Sequence, residues 1–208
     1  MGDQITLAIF SPISLFSSIN PWAIGILILC IGILITIIPI FNAFLKKIDL
    51  HSVETWFDNA SNLGAQQQRL KEHFDRIRGT LVYWKNKAAA YQRLDSARVT
   101  WSLISGVSLP VLVQFYNATD KWAVGFMTVL TTWTGLIVTL AYTLKAEQKY
   151  QGFRQQESDY YDISRTLLDF PEKDPDRLEQ QVDEYIEKVA HIRRVARQVE
   201  TDSPPSVL

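Results

Sequence analysis

The sequence predicts an all-α membrane protein with three transmembrane helices, the last two forming a hairpin that extends into long cytoplasmic helices. Three observations lead there. Uncharged runs at residues 5–45, 99–119 and 122–144 each leave room for one helical crossing of a bilayer, which takes about 20 apolar residues. The last two runs are separated by little more than Asn117 to Lys121, too short for anything but an antiparallel return. Outside the runs, apolar residues recur at alternating steps of four and three, the helical period, and no segment shows strand alternation. The net charge of −1 and the 47% hydrophobic content would suit a soluble domain, but the average hides this segregation.

Residues 1–45 comprise an N-terminal interfacial segment and the first span. Residues 5–16 are too few to cross a bilayer and precede Asn20-Pro21, so an interfacial position is expected. The span itself, 22–45, holds nine Ile and four Leu, each worth about −0.3 to −0.6 kcal/mol near the helix centre. Asp3 and the lack of a basic n-region argue against a cleavable signal peptide. The single cysteine, Cys30, lies inside this span and leaves no disulfide framework or thiol metal site. Residues 46–64, with Trp56 and Phe57, read as a membrane-surface connector, a short amphipathic helix.

Residues 65–170 form the helical hairpin, with transmembrane helices at 99–119 and 122–144. Before the second span, Leu70, Phe74, Ile77, Leu81, Trp84, Ala88 and Tyr91 make a heptad seam of the kind that packs in a left-handed bundle. Gly79 interrupts it at a cost of about 1 kcal/mol, so a partner helix is expected to hold the seam. After the third span, Tyr150, Phe153, Tyr160 and Leu167 share a face with the polar Glu157 and Ser164. Continuous helices over 65–117 and 122–169 would make rods of about 70–80 Å.

The stretch FPEKDPD ends the second rod. Asp174 is a good N-cap with Pro175 in the first helical position, opening a C-terminal cytoplasmic helix within 171–200. Its seam is Leu178, Val182, Tyr185, Val189, Ile192, Ala196 and Val199. Asp176 and Glu179 near its start and Arg193, Arg194 and Arg197 near its end complement the helix dipole. Residues 201–208 read as a disordered tail.

Of 21 Lys and Arg, only Lys121 falls on the side of the N-terminus and the short loop. The positive-inside rule then places the N-terminus outside and the C-terminus in the cytoplasm. His51, His73 and His191 are scattered without metal-ligand spacing, and KEHFD lacks the second histidine of a zincin helix. There is no glycine-rich phosphate loop and no nucleophile context, so neither an enzyme nor a cofactor is expected. Mixed charges give no reason to expect nucleic-acid binding. No ionisable residue lies within a span, which argues against a proton relay or ion-coupled transporter.

The third span carries six threonines. Thr128, Thr132, Gly135, Thr139 and Thr143 form one stripe. Close helix packing would explain them, with Ser102, Ser105, Gly106 and Ser108 of the second span and Gly25, Gly32 and Thr36 of the first as matching surfaces. The alternative to packing is pore lining in a homo-oligomer, with hydroxyls bordering a hydrated path and Gln114 either at its rim or snorkelling. Pro110 is placed to kink the second span. The cytoplasmic seam, Phe74, Leu81, Trp84, Tyr91, Tyr150, Phe153 and Tyr160, carries more aromatic bulk than a thin three-helix layer requires, which favours self-association.

YWKNKAAAYQRLDSARVTW before the hairpin, LKAEQKYQGFRQQESDYYDISRTLLDFP after it and VDEYIEKVAHIRRV in the last helix resemble the SLATT superfamily over roughly residues 80–200. Lys149-Tyr150, Phe153-Arg154 and Glu157 carry the likeness. That resemblance implies a two-transmembrane, pore-forming or membrane-perturbing effector of bacterial defence, set in the inner membrane and triggered by a cytosolic nucleotide-sensing partner such as a SLOG protein. The extra span at 22–45 departs from the family pattern. The expected function is an oligomeric pore regulated through its cytoplasmic helices. The alternative is a non-conducting membrane-anchored scaffold that recruits a cytosolic partner.

Overall fold

The computed structural model describes residues 20–45, 57 and 63–201, and among these there are five helices and no strand. They are α1 (Pro21–Leu45), α2 (Gln66–Gln114), α3 (Lys121–Thr143), α4 (Ala146–Asp169) and α5 (Pro175–Thr201). The expected interfacial segment at 5–16 and most of the expected tail lie outside the described residues.

Two tiers of three helices share α2, which runs unbroken for 49 residues, about 73 Å, through both Gly79 and Pro110. One tier is apolar. There, α1, α3 and the C-terminal part of α2 are each long and apolar enough to cross a membrane. The other is polar on its surface and packs α4 and α5 against the N-terminal part of α2. In this tier Leu70, Phe74, Ile77, Leu81, Trp84 and Ala88 are all buried, facing Phe153, Tyr160 and Leu167 of α4. Val182, Tyr185 and Val189 of α5 complete the core. The aromatic bulk that suggested self-association is therefore absorbed within one chain, with Tyr91 and Tyr150 packed half-buried at its edge.

Three of the five helix starts are capped by a local side chain. Asn20 accepts from the Trp22 amide at 2.9 Å ahead of Pro21, and Asp120 accepts from Trp122 N at 2.9 Å. Asp174 accepts from Asp176 N at 3.1 Å beside Pro175. Asn20 also donates to Asp120 at 3.0 Å, tying the starts of α1 and α3 together. Those two helices are accordingly parallel, with α2 running against both.

Two expectations are corrected. The rod predicted over 122–169 is broken, because Lys145 stands at φ 49° in the left-handed region and separates α3 from α4. The cause is phase. On one continuous helical wheel, the buried face of α3 (Ala123, Leu130, Ile137) and that of α4 (Phe153, Tyr160, Leu167) lie roughly 120° apart. A straight helix could not bury both against α2, and one left-handed residue resets the angle. The second concerns the connector expected at 46–64, of which only Phe57, Leu63 and Gly64 lie among the described residues. Phe57 and Leu63 are buried in the polar tier, with Phe57 against Phe74 at 6.1 Å and Tyr185 at 6.3 Å. Phe74 lies about 37 Å along α2 from residue 99, so these two residues belong to the far end of the bundle, not to a membrane surface.

Candidate functional site

Within the apolar tier, α3 buries Ala123, Leu130, Ile137 and Ala141 against α1 and α2. The stripe Thr128, Thr132, Gly135, Thr139 and Thr143 lies on the opposite side of the helix, and all five residues are exposed. It runs about 22 Å along the axis. The other two threonines of the helix have partners within the chain. Thr134 shares a 2.6 Å hydrogen bond with Ser105 of α2. Thr131 donates to the Met127 carbonyl at 2.8 Å, one turn back.

The surfaces expected to match the stripe meet other groups. Ser105 is buried, but its partner is Thr134. Ser102, Gly106 and Gln114 are exposed on α2, and Ser108 is half-buried. On α1, a Cβ at Gly25 would sit 3.1 Å from the Phe126 ring, and one at Gly32 would sit 3.4 Å from Trp101. The Trp101 indole donates to Thr36 Oγ1 at 3.0 Å, and Thr36 donates to the Gly32 carbonyl at 2.9 Å. The small residues of α1 thus admit Trp101 and Phe126, not threonines. Packing inside one chain, which the sequence allowed for the whole stripe, does not account for it.

Beneath the stripe, one side chain spans the helix break. Arg98 of α2 bonds Asp95 Oδ1 at 2.8 Å through Nε and reaches the Tyr142 hydroxyl at 3.3 Å. It also reaches Glu147 Oε2 at 3.2 Å, while its guanidinium lies 5.1 Å from the Tyr142 ring centroid. Tyr142 precedes the left-handed Lys145 and Glu147 follows it, so Arg98 grips both sides of the junction. Its neighbours Ala141 and Ala146 are buried with Leu94 of α2.

The polar tier carries a buried polar seam. Glu157 pairs with Arg154 at 2.7 Å at the edge of the core. Deeper, Ser164 donates to the Tyr160 carbonyl at 2.8 Å and lies 3.4 Å from the Tyr185 hydroxyl, which donates to the Tyr160 hydroxyl at 3.3 Å. Burial raises the pKa of both tyrosines, so the chain of hydroxyls stays neutral. His73 stacks edge-on against Tyr185 at 5.8 Å. Burial lowers its pKa first, and Arg76, Arg193 and Arg69 lower it further. Among the described residues, no three His, Cys, Asp or Glu side chains converge as a metal site.

Three features of this geometry were not read from the sequence: the Asn20–Asp120 link, the Arg98 clamp and the left-handed Lys145. The phase shift between Ile137 and Phe153 was the available signal for the last. No protein-family model, curated protein or solved structure matches the chain.

Proposed function

We propose that the chain is an integral membrane protein that assembles with copies of itself around a hydrated, ion-permeable path lined by the threonine face of α3. The observation that carries this reading is the position of Thr128, Thr132, Thr139 and Thr143: exposed, on one line, and opposite the face that α3 buries within its own chain. Small and hydroxylated residues let membrane helices approach closely. Hydroxyls can also border water without placing charge in lipid. A second chain or a water column satisfies both properties, whereas lipid uses neither.

In this reading the polar tier is the cytoplasmic input domain, with the N-terminus outside and the C-terminus inside, as the distribution of Lys and Arg supports. The Arg98–Lys145 junction would carry a change in α4 and α5 to α3. The likeness to SLATT effectors agrees with a bacterial defence role and a nucleotide-sensing partner as the trigger. The chain would act without catalysis.

The test is ion flux through liposomes holding the purified protein. Thr132→Leu and Thr139→Leu should each cut flux severalfold while leaving helical content and assembly unchanged. Undiminished flux in both variants would sink the lining role. The scaffold reading has one observation in its favour. An open cleft of about 1130 Å³ at the far end of the polar tier, bordered by Leu63, Phe170, Pro171 and Leu178, leaves Phe170 75% exposed. A scaffold should be tolerated when overproduced and should carry no flux, whereas a pore should depolarise cells.

A further inference from the structure

A groove of about 350 Å³ opens between α1 and α2 where the apolar and polar tiers meet. Its two ends differ in chemistry. Gln92, Arg93 and Ser96 border one end, all exposed, and Ile35, Thr36 and Trp101 border the other. From Gln92 to Trp101 the groove follows α2 for about 13 Å. Arg93 Nη1 donates to the Pro39 carbonyl at 2.8 Å, which fixes the guanidinium over the groove while other N–H donors of its fork remain to bind a ligand. Arg93 comes six residues before the uncharged run of α2, which begins at 99, yet it bonds a carbonyl six residues inside the run of α1, which ends at 45. Its charge therefore stands at the boundary between apolar and polar surface. Among the described residues no acidic side chain lines the groove, and nearby Asp95 faces Arg98.

We infer that this groove binds an acidic glycerophospholipid from the leaflet on the side of the polar tier. Its phosphate meets the Arg93 guanidinium, its headgroup hydroxyls reach Ser96 and Gln92, and an acyl chain lies along Ile35 and Trp101. Basic pockets between membrane helices take anionic headgroups in this way. The preference for an acidic lipid follows from charge. A zwitterionic headgroup would bring its ammonium beside Arg93, with no carboxylate among the described lining residues to receive it. The bound lipid would fasten α1 to α2, adding to the Trp101–Thr36 bond. The inference rests on α1, α2 and α3 being membrane spans and is independent of whether the protein conducts.

The experiment is native mass spectrometry of the full chain, reconstituted into nanodiscs of equimolar phosphatidylglycerol and phosphatidylcholine and then stripped stepwise of lipid. Wild type should retain phosphatidylglycerol over phosphatidylcholine by roughly fivefold, the scale expected of one basic residue at an anionic surface. Arg93→Gln should bring that ratio close to one. Because Arg93 also holds the Pro39 carbonyl, Thr100→Phe serves as a second variant. It fills the apolar end of the groove with Arg93 in place, and it should lower retention of both lipids. Equal retention of the two lipids by wild type, or an unchanged ratio in Arg93→Gln with the melting temperature preserved, overturns the site alone. A chain that does not enter the nanodisc overturns the membrane reading and the site with it.

Discussion

Gly79 and Gly152 stand in helices of the same tier, and adding a methyl group to each has opposite consequences. A Cβ at Gly79 meets nothing within 4 Å, so Gly79→Ala should stabilise the protein by about 1 kcal/mol through helix propensity alone. A Cβ at Gly152 would lie 2.7 Å from Cγ1 of Val199, a stiff β-branched side chain on α5. Gly152→Ala should therefore destabilise by about 1–3 kcal/mol, and Val199→Ala in the same chain should restore most of the loss. Thermal melts of the variants test both signs; a stabilised Gly152→Ala would mean that α4 and α5 are not in close contact there. His73 supplies a second prediction at this scale. Its Nδ1 has no hydrogen-bond partner among the described residues, and burial holds its pKa below the ordinary 6.5. Above that value the imidazole is neutral in folded and unfolded chains alike, and it adds no pH dependence. As pH falls through 6.5 the unfolded chain takes the proton first, so stability should decline. Melting temperatures of wild type and His73→Phe, followed from about pH 7.5 to pH 5.5, should diverge downward for wild type only. Parallel curves would clear His73 of that role.

At the scale of elements, the junction between α3 and α4 joins local strain to tertiary need. A non-glycine residue in the left-handed region costs about 1–2 kcal/mol. Lys145 adopts it because burying Ile137 and Phe153 against one partner helix returns more than that. Lys145→Gly should raise stability by about 1 kcal/mol, and Lys145→Val should lower it. If both substitutions proved neutral, the break would lie elsewhere. The contrast with α2 is instructive. That helix passes straight through both tiers because it meets different neighbours in each, α4 and α5 along Leu70 to Ala88 and α1 and α3 along Ala97 to Trp101. Arg98 marks the level at which the two behaviours meet, pairing Asp95 on the unbroken helix with Tyr142 and Glu147 on either side of the broken one.

For the whole molecule, the decisive quantity is what the apolar tier leaves uncovered. Leu29 is the one buried residue of α1, while Ile28 is 64% exposed, Ile35 66% and Val107 73%. Such a belt far exceeds what a water-facing surface carries, and lipid or further chains must cover it. Apolar burial drives little association inside a bilayer, so three polar contacts do much of the fastening within the chain: Trp101–Thr36, Ser105–Thr134 and Asn20–Asp120. The threonine face takes no part in them. The native mass of the protein in nanodiscs should accordingly be that of a single assembly of four or more chains. A monomer or dimer, with at most six spans, would leave too little wall for a central path, and the pore reading would fall.

The helices themselves were legible in the sequence, and the reason is local. Span length, the period of Leu70 to Tyr91, the Asp174-Pro175 start and the short return at 117–121 depend on near neighbours and on solvent or lipid alone. The position of the threonine stripe as a line was equally legible, since five residues at helical spacing share a face in any α-helix. Which way that line points was not. Its direction depends on where α1 and α2 bury α3, and that is decided by Trp101 and Phe126 entering the gaps at Gly32 and Gly25. Contacts between residues 65 or 100 positions apart leave no periodic mark on a chain. The break at Lys145 lies between these cases. Its phase shift is written in the spacing from Ile137 to Phe153, but it has meaning only once both faces are known to meet the same helix. The sequence by itself determined the three apolar helices and the helical seams of the polar tier; tertiary packing decided the break at Lys145 and which faces remain outside, because each buried face is chosen by its partner.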